Sequence, residues 1–197
     1  GTTKIVCLIA RVMDSDSKLE VIGVGHQESK GLKTGTIIDI DAAETSIRQA
    51  VHTAENMAAE IMNGYPLRQV LISLSGLHCN SNTQSIDVQI SGYEVTNNDI
   101  RRALAKAQEQ LIHKDSDLIH TIPVDFRLDG HDGIREPRGM YGQTLGVDIH
   151  IVSGSTGAIR NVTTCVERSH LDIVGICASP YAAGLSSLVE DEIELGC

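Results

Sequence analysis

This sequence is short of positive charge relative to negative. Sixteen Lys and Arg stand against 26 Asp and Glu over 197 residues, a formal charge of −10. A binder of nucleic acid or anionic lipid needs a net basic face to release counterions or meet headgroups, so both classes are set aside. Only a small basic patch, Arg101, Arg102 and Lys106, runs against the trend. The five cysteines are odd in number, scattered, and without a C-x-x-C pair. They read as small apolar side chains in a reducing compartment, with neither a disulfide nor a zinc site. No apolar run approaches the roughly 20 residues of a membrane span, and no signal peptide is visible. The chain begins at Gly1 without methionine, so its true N-terminus is expected upstream.

Catalytic signatures are also lacking. The eight histidines are dispersed and form no H-x-x-x-H or H-E-x-x-H motif. His78 beside Cys79, and His120 with His150 on neighbouring strands, are the only suggestive pairings. No G-x-S-x-G supports a nucleophile. Asp129, Asp132, Arg135, Glu136 and Arg138 crowd one Gly- and Pro-containing loop, which reads as a solvated turn unless a cleft perturbs their pKa values. None of this describes a self-contained enzyme.

What is present is an alternation of strand and helix periods, with 41% apolar residues, in the range of soluble globular proteins, and 3% aromatics. Residues 3–13 and 18–28 read as two strands around the polar turn Asp14 to Ser17, and Thr36 to Ile40 as a third, making a meander. Gly23 and Gly25 allow a twist or bulge. Asp41 and Glu44 look like a capping box. Behind it Ile47, Ala50, Val51, Ala54, Met57, Ala58 and Ile61 recur at helical spacing, ending near Gly64. Residues 67–75 return as a strand. From about 77 a second texture begins: an alternating strand at 82–91 and a helix capped by Thr96 and carrying Ile100, Ala103, Leu104, Ala107 and Leu111. Strands near 118–128 and 143–152 follow, with a loop from Asp129 to Gly142 between them. After residue 153 the first texture resumes. A helix carries Ile159, Val162, Cys165 and Val166, a strand runs from Leu171 to Cys177, and a helix begins with Ser179-Pro180 supplying an N-cap and first turn. Leu195-Gly196-Cys197 looks like a strand just beginning.

Two glycine-containing stretches are chemically suggestive. In Gly1-Thr2-Thr3-Lys4 the glycine lets backbone N–H groups approach phosphate oxygens, the hydroxyls donate, and the lysine adds charge; a plain hairpin turn reads the same way. Gly154-Ser155-Thr156-Gly157 precedes a helix, and is either an anion seat or a joint followed by a helix cap.

Taken together, these residues resemble the FtsA family of actin-like bacterial cell division proteins from end to end. Gly1-Thr2-Thr3-Lys4 looks like the end of that family's first phosphate loop. Gly23-Val24-Gly25, Ser29, Gly31 and Gly35 match its strand-and-loop signature, and Ser75-Gly76 with His78 the point where an extra subdomain is inserted. His120, Ile122, Pro123, Gly133, Ile134, Pro137 and Gly139 match the inserted subdomain, and Glu190-Asp191-Glu192 with Leu195-Gly196 the segment before the second phosphate loop. The resemblance implies an α/β, actin-like (ribonuclease-H-like) subdomain over 1–76 and 154–197, split by a strand-helix-strand-strand subdomain over 77–153. It implies that Gly1, Thr2, Thr3 and Lys4 line the phosphates of ATP, with Mg, in a longer parent protein. The magnesium-serving acid, second phosphate loop, adenosine glycines, FtsZ-binding lobe and membrane helix are expected outside this fragment, which therefore holds half a phosphate clamp.

By the same resemblance the parent self-associates, binds FtsZ, and recruits later division proteins through the inserted subdomain. It is held at the cytoplasmic face of the inner membrane, at the septum, by a C-terminal helix. Arg101, Arg102 and Lys106 are candidate docking residues on the inserted helix, with a solvated helix face as the alternative. Rival readings are an actin-superfamily enzyme, such as a sugar kinase or chaperone-type ATPase, and a pilus-assembly actin-like ATPase.

Overall fold

A computed structural model describes residues 3–13, 18–76, 79–110, 115–189 and 191–192. The expected turn at 14–17, Gly1, Thr2, His78, Leu111, Glu190 and the expected strand start at 195–197 lie outside the described residues. The chain folds as two compact units, residues 1–77 with 157–197, and residues 78–156.

In the first unit, β1 (Lys4–Val12) and β2 (Leu19–Glu28) form an antiparallel pair with a bulge at Ile22, next to Gly23 and opposite the step from Ile9 to Ala10. α1 (Ile40–Ala58) lies over this pair and buries Ala43, Ser46, Ala50, Ala54 and Ala58. The strand glycines do more than permit a bulge. A Cβ on Gly25 would stand 1.7 Å from the Ala50 carbonyl oxygen, and one on Gly23 2.4 Å from that of Ala54. Small residues on both sides let the helix sit directly on the strand backbone.

The expected third meander strand does not form. Thr36–Ile37 (β4) instead pairs with Leu32–Lys33 (β3) across a turn at Thr34 and Gly35. Both turn residues have positive φ, 48° and 80°, which suits a tight hairpin. Ile38 and Asp39 donate to the Gly31 carbonyl, so the chain turns straight into the helix. The cap is two residues earlier than expected: the Asp39 carboxylate accepts from the Ala42 N–H at 3.1 Å. Asp41 and Glu44 are left for ion pairs with Arg168 at 3.1 Å and Arg48 at 3.4 Å. The helix also stops earlier than its apolar periodicity suggests. Met57 is 67% exposed, and Ile61 lies beyond the last helical residue, in turns that close with the Gly64 N–H on the Ala59 carbonyl.

β5 (Gln69–Leu74) pairs in parallel with β10 (Asp172–Ala178). Before β10 comes α3 (Thr156–Arg168), burying Ile159, Cys165 and Val166, and after it α4 (Ser179–Ser187). Pro180 sits in the first turn of α4, as its missing N–H allows, but the N-cap residue is Ala178 and no side chain caps, so Ser179 does not play the expected part.

The second unit is a four-stranded antiparallel sheet in the order β6-β9-β7-β8, made by Cys79–Gln89, Thr144–Ser155, Ser116–Leu128 and His131–Ile134. α2 (Asn97–Gln110) covers one face. Ile100, Ala103 and Ala107 pack there against Ile86, Leu145, Val147, Ile149 and Ile151 in a core drawn only from this unit. β8 falls inside the expected loop. Asp129 and Gly130, with φ of 50° and 83°, supply a two-residue turn between Leu128 and its partner His131.

Candidate functional site

At the open end of the β1–β2 pair, Lys4 stands opposite Glu28, and the Ser29 N–H donates to the Thr3 carbonyl at 3.1 Å. Thr3 and Lys4 are exposed beside this clasp. The Ser29 hydroxyl is buried with no hydrogen-bond partner among the described residues. Gly1 and Thr2, the other two expected phosphate-site residues, lie outside the described residues. The second glycine-containing stretch falls at the joint where the second unit ends and the first resumes: Gly154 and Ser155 end β9, and Thr156, which opens α3, already donates its N–H to the Asp115 carbonyl at 3.1 Å.

The three basic residues of α2 do not form one free patch. Arg102 donates from Nη2 to the Gln89 carbonyl at 2.6 Å and also pairs with the Asp99 carboxylate. Lys106 donates from Nζ to the Asp87 carbonyl at 3.0 Å. Arg101 is exposed and has no hydrogen-bond or ion-pair partner among the described residues. Asp99 itself is fully buried and organises the helix entry. Its Oδ2 accepts the Thr96 N–H at 2.9 Å and the Thr96 hydroxyl at 2.6 Å, and its Oδ1 accepts the Ser91 N–H at 3.0 Å. The capping expected of Thr96 is thus reversed: the carboxylate three residues on reaches back to it. Burial works against the charge on Asp99, but the bonds from Thr96, Ser91 and Arg102 outweigh it and hold the carboxyl well below the usual range.

Residues on three strands meet across the sheet at Arg127. Its guanidinium donates to Asp148 at 2.6 Å and stands 3.5 Å from Asp87 and 3.7 Å from Asp132. The Ser85 hydroxyl also donates to Asp148. The bonds from Ser85 and Arg127 keep the Asp148 carboxyl low against the opposing effect of burial. The Asp148 hydrogen bond raises the Arg127 pKa; burial opposes this, and the charges of Asp148, Asp87 and Asp132 reinforce it. The arginine reaches these partners across Gly146, where a Cβ would come within 3.0 Å of Nε and 2.8 Å of an Asp87 oxygen. Sequence reasoning missed both clusters. The Thr96-x-x-Asp99 spacing was a usable signal for the first; the second depends on strand register, which no local spacing encodes.

The loop acids and bases are tied into turns. Asp129 accepts the Gln143 and Thr144 N–H groups at 2.9 and 2.8 Å, which lowers its carboxyl pKa, and Arg138 bonds Glu136 and Asn97, each at 2.6 Å. His120 and His150 occupy different registers, opposite Val152 and Ile122, and His150 Nδ1 lies 3.1 Å from the Thr83 hydroxyl. Among the described residues no three His, Cys, Asp or Glu side chains converge as metal ligands. Cys7, Cys79, Cys165 and Cys177 are free thiols, and burial raises the first three. No helix among the described residues is long and apolar enough to cross a membrane.

Residues 76–153 match the family model described as the SHS2 domain inserted in FTSA. Proteins named cell division protein FtsA match over the whole chain. That of Rhizobium meliloti (strain 1021) is 40% identical over 206 residues, covering 100% of this chain and 46% of the relative. That of Pseudomonas aeruginosa is 36% identical over 196 residues, with 100% and 46% covered. That of Bacillus subtilis (strain 168) is 35% identical over 198 residues, with 100% and 43% covered. The chain thus spans about half the length of the curated relatives it matches. Among solved structures, a chain of a PilM-PilN type IV pilus biogenesis complex superposes with a TM-score of 0.60 at 14% identity, covering 94% of this chain and 47% of that one. That likeness is one of fold, and the fold is actin-like. With an SHS2 unit set into an actin-like unit and FtsA relatives aligned along every part of both, this chain is similar to the FtsA proteins over about half of their length.

Proposed function

We propose that the protein to which this chain belongs works in bacterial cell division, as a scaffold that ties the FtsZ ring to the inner membrane at the septum. The observation that carries this reading is the interruption of the actin-like unit by an FtsA-type SHS2 domain in a chain 30–40% identical to FtsA proteins throughout. In this reading the intact protein is an ATP-binding assembly protein rather than a metabolic enzyme. It self-associates and recruits later division proteins through the inserted domain; its FtsZ contact and membrane helix belong to parts of the protein outside these residues. Gly1, Thr2, Thr3 and Lys4 would meet the ATP phosphates. The clasp between Thr3 and Ser29 supports this by presenting exposed Thr3 and Lys4 at the strand opening. ATP with its magnesium ion would supply a bistable, nucleotide-dependent interface; this chain's part is to donate hydrogen bonds and one positive charge to phosphate. One loop offering two or three bonds of about 0.5–1.5 kcal/mol net each does not offset the ordering costs of tight binding.

The direct test is a fluorescent fusion of the full-length protein in its own cells, with co-sedimentation against FtsZ. Placement at midcell and FtsZ-dependent pelleting are expected; diffuse fluorescence with no FtsZ binding would refute the reading. The fold likeness to a chain of a PilM-PilN complex keeps a pilus-assembly role as the second reading. Specific recovery of FtsZ in pull-downs would exclude it.

A further inference from the structure

We propose that Arg102 and Lys106 guard the free edge of β6 against strand addition by a second copy of this chain. β6 is an outer strand, paired with β9 along Cys79–Gln89 and, among the described residues, with no strand on its other side. Just past this ladder the Ile90 N–H donates to the Gln143 carbonyl at 2.9 Å. By strand alternation, even-numbered residues therefore turn their backbone groups toward β9 and odd-numbered residues turn theirs outward. At Gln89 and Asp87 the outward carbonyls are occupied by Arg102 at 2.6 Å and Lys106 at 3.0 Å. At Ser81, Thr83 and Ser85 the outward groups have no partner among the described residues.

From Cys79 to Ile86 the strand carries no charge and no proline, the usual protections of an exposed edge. Two copies present identical edges, so antiparallel pairing of β6 with β6 is self-complementary about a two-fold axis. With the two cations in place, the pairable edge stops at Ser85. Without them it runs to Gln89, and the shared ladder gains the backbone groups of Asp87 and Gln89. The same bonds that fasten α2 to the sheet therefore shorten the edge. This assignment does not rest on the division role.

The test is light scattering of the 197-residue chain at rising concentration, comparing the parent with the double variant Arg102→Met, Lys106→Met, which keeps the side-chain stems. The double variant, shown folded by circular dichroism, should rise toward twice the parent's mass at concentrations where the parent does not. Adding Gln89→Pro removes an outward N–H but no ladder bond, and should return the mass to the parent's value. A folded double variant with the parent's mass throughout, or association that Gln89→Pro leaves unchanged, overturns the proposal. Should the double variant fail to fold, the single Lys106→Met variant, which keeps the Arg102–Asp99 contact, is read by the same two outcomes.

Discussion

Replacing Asp99 by alanine is expected to loosen the second unit more than any exposed substitution could. The carboxylate is fully buried and serves the Ser91 N–H, the Thr96 N–H, the Thr96 hydroxyl and Arg102. Hydrogen bonds to a charged group contribute about 1.5–3 kcal/mol each, but they share one acceptor and do not add. Truncation also strands buried donors at about 1–3 kcal/mol apiece, softened here because the Arg102 head is half exposed. The net expectation is about 3–4 kcal/mol, of the size seen when one partner of a buried ionic contact is removed. Asp99→Asn, which keeps one acceptor oxygen, should lose about half of that. Amide exchange read by mass spectrometry suits a two-unit chain: α2 and β6 peptides should exchange about a hundredfold to a thousandfold faster in Asp99→Ala, and β1–β2 peptides at the parent rate.

The pH dependence follows from the direction of the shift. The folded carboxyl lies below its ordinary value of 3.8, so its stabilisation is fully present above about pH 4 and fades as the pH falls through the folded value. The gap between parent and Asp99→Asn should therefore be flat from pH 8 to 5 and shrink only in stronger acid. A gap under about 1 kcal/mol at neutral pH, or one that closes near pH 6, would refute the account.

Other expectations follow from the same contacts. Gly25→Ala should cost about 3 kcal/mol or more, because its Cβ would meet the Ala50 carbonyl oxygen at 1.7 Å; a thermal melt following β1–β2 would show it. Arg127→Met leaves Asp148, Asp87 and Asp132 without their shared cation and should destabilise the second unit by about 1–3 kcal/mol in urea titration, with m unchanged. Arg101→Glu should change stability by less than about 0.5 kcal/mol. Arg102→Glu puts a carboxylate beside buried Asp99 and should cost about 2 kcal/mol, so the two arginines separate docking from fold in assembly assays of the full-length protein. Isothermal titration should find no tight ATP binding to these 197 residues, and micromolar affinity would mean that the phosphate site lies elsewhere.

Much of this protein was written locally in its sequence. The helical spacing of Ala50, Ala54 and Ala58, the stripe of Ile100, Ala103 and Ala107, and the alternation of Ile86 and Val88 each name the face that must be buried. That is enough to set most of the elements, because burial of an apolar face at period 3.6 or 2 is decided over a few residues. Motifs from Gly1 to Gly196, matched together, pointed to the relatives with which the whole chain aligns. What the sequence could not decide was which polar group meets which. Asp39 rather than Asp41 caps α1 because Gly31 turns the chain two residues sooner, and Thr36 leaves the meander because Thr34 and Gly35 close a hairpin of their own. Arg127 finds Asp148 only after β7 and β9 fix a register across residues far apart in the chain. Arg102 and Lys106 become fasteners of β6, not a free patch, only once α2 is packed against that edge. Apolar burial is a property of each segment; hydrogen-bond and ion-pair partners are a property of how segments meet, and tertiary structure alone decides them.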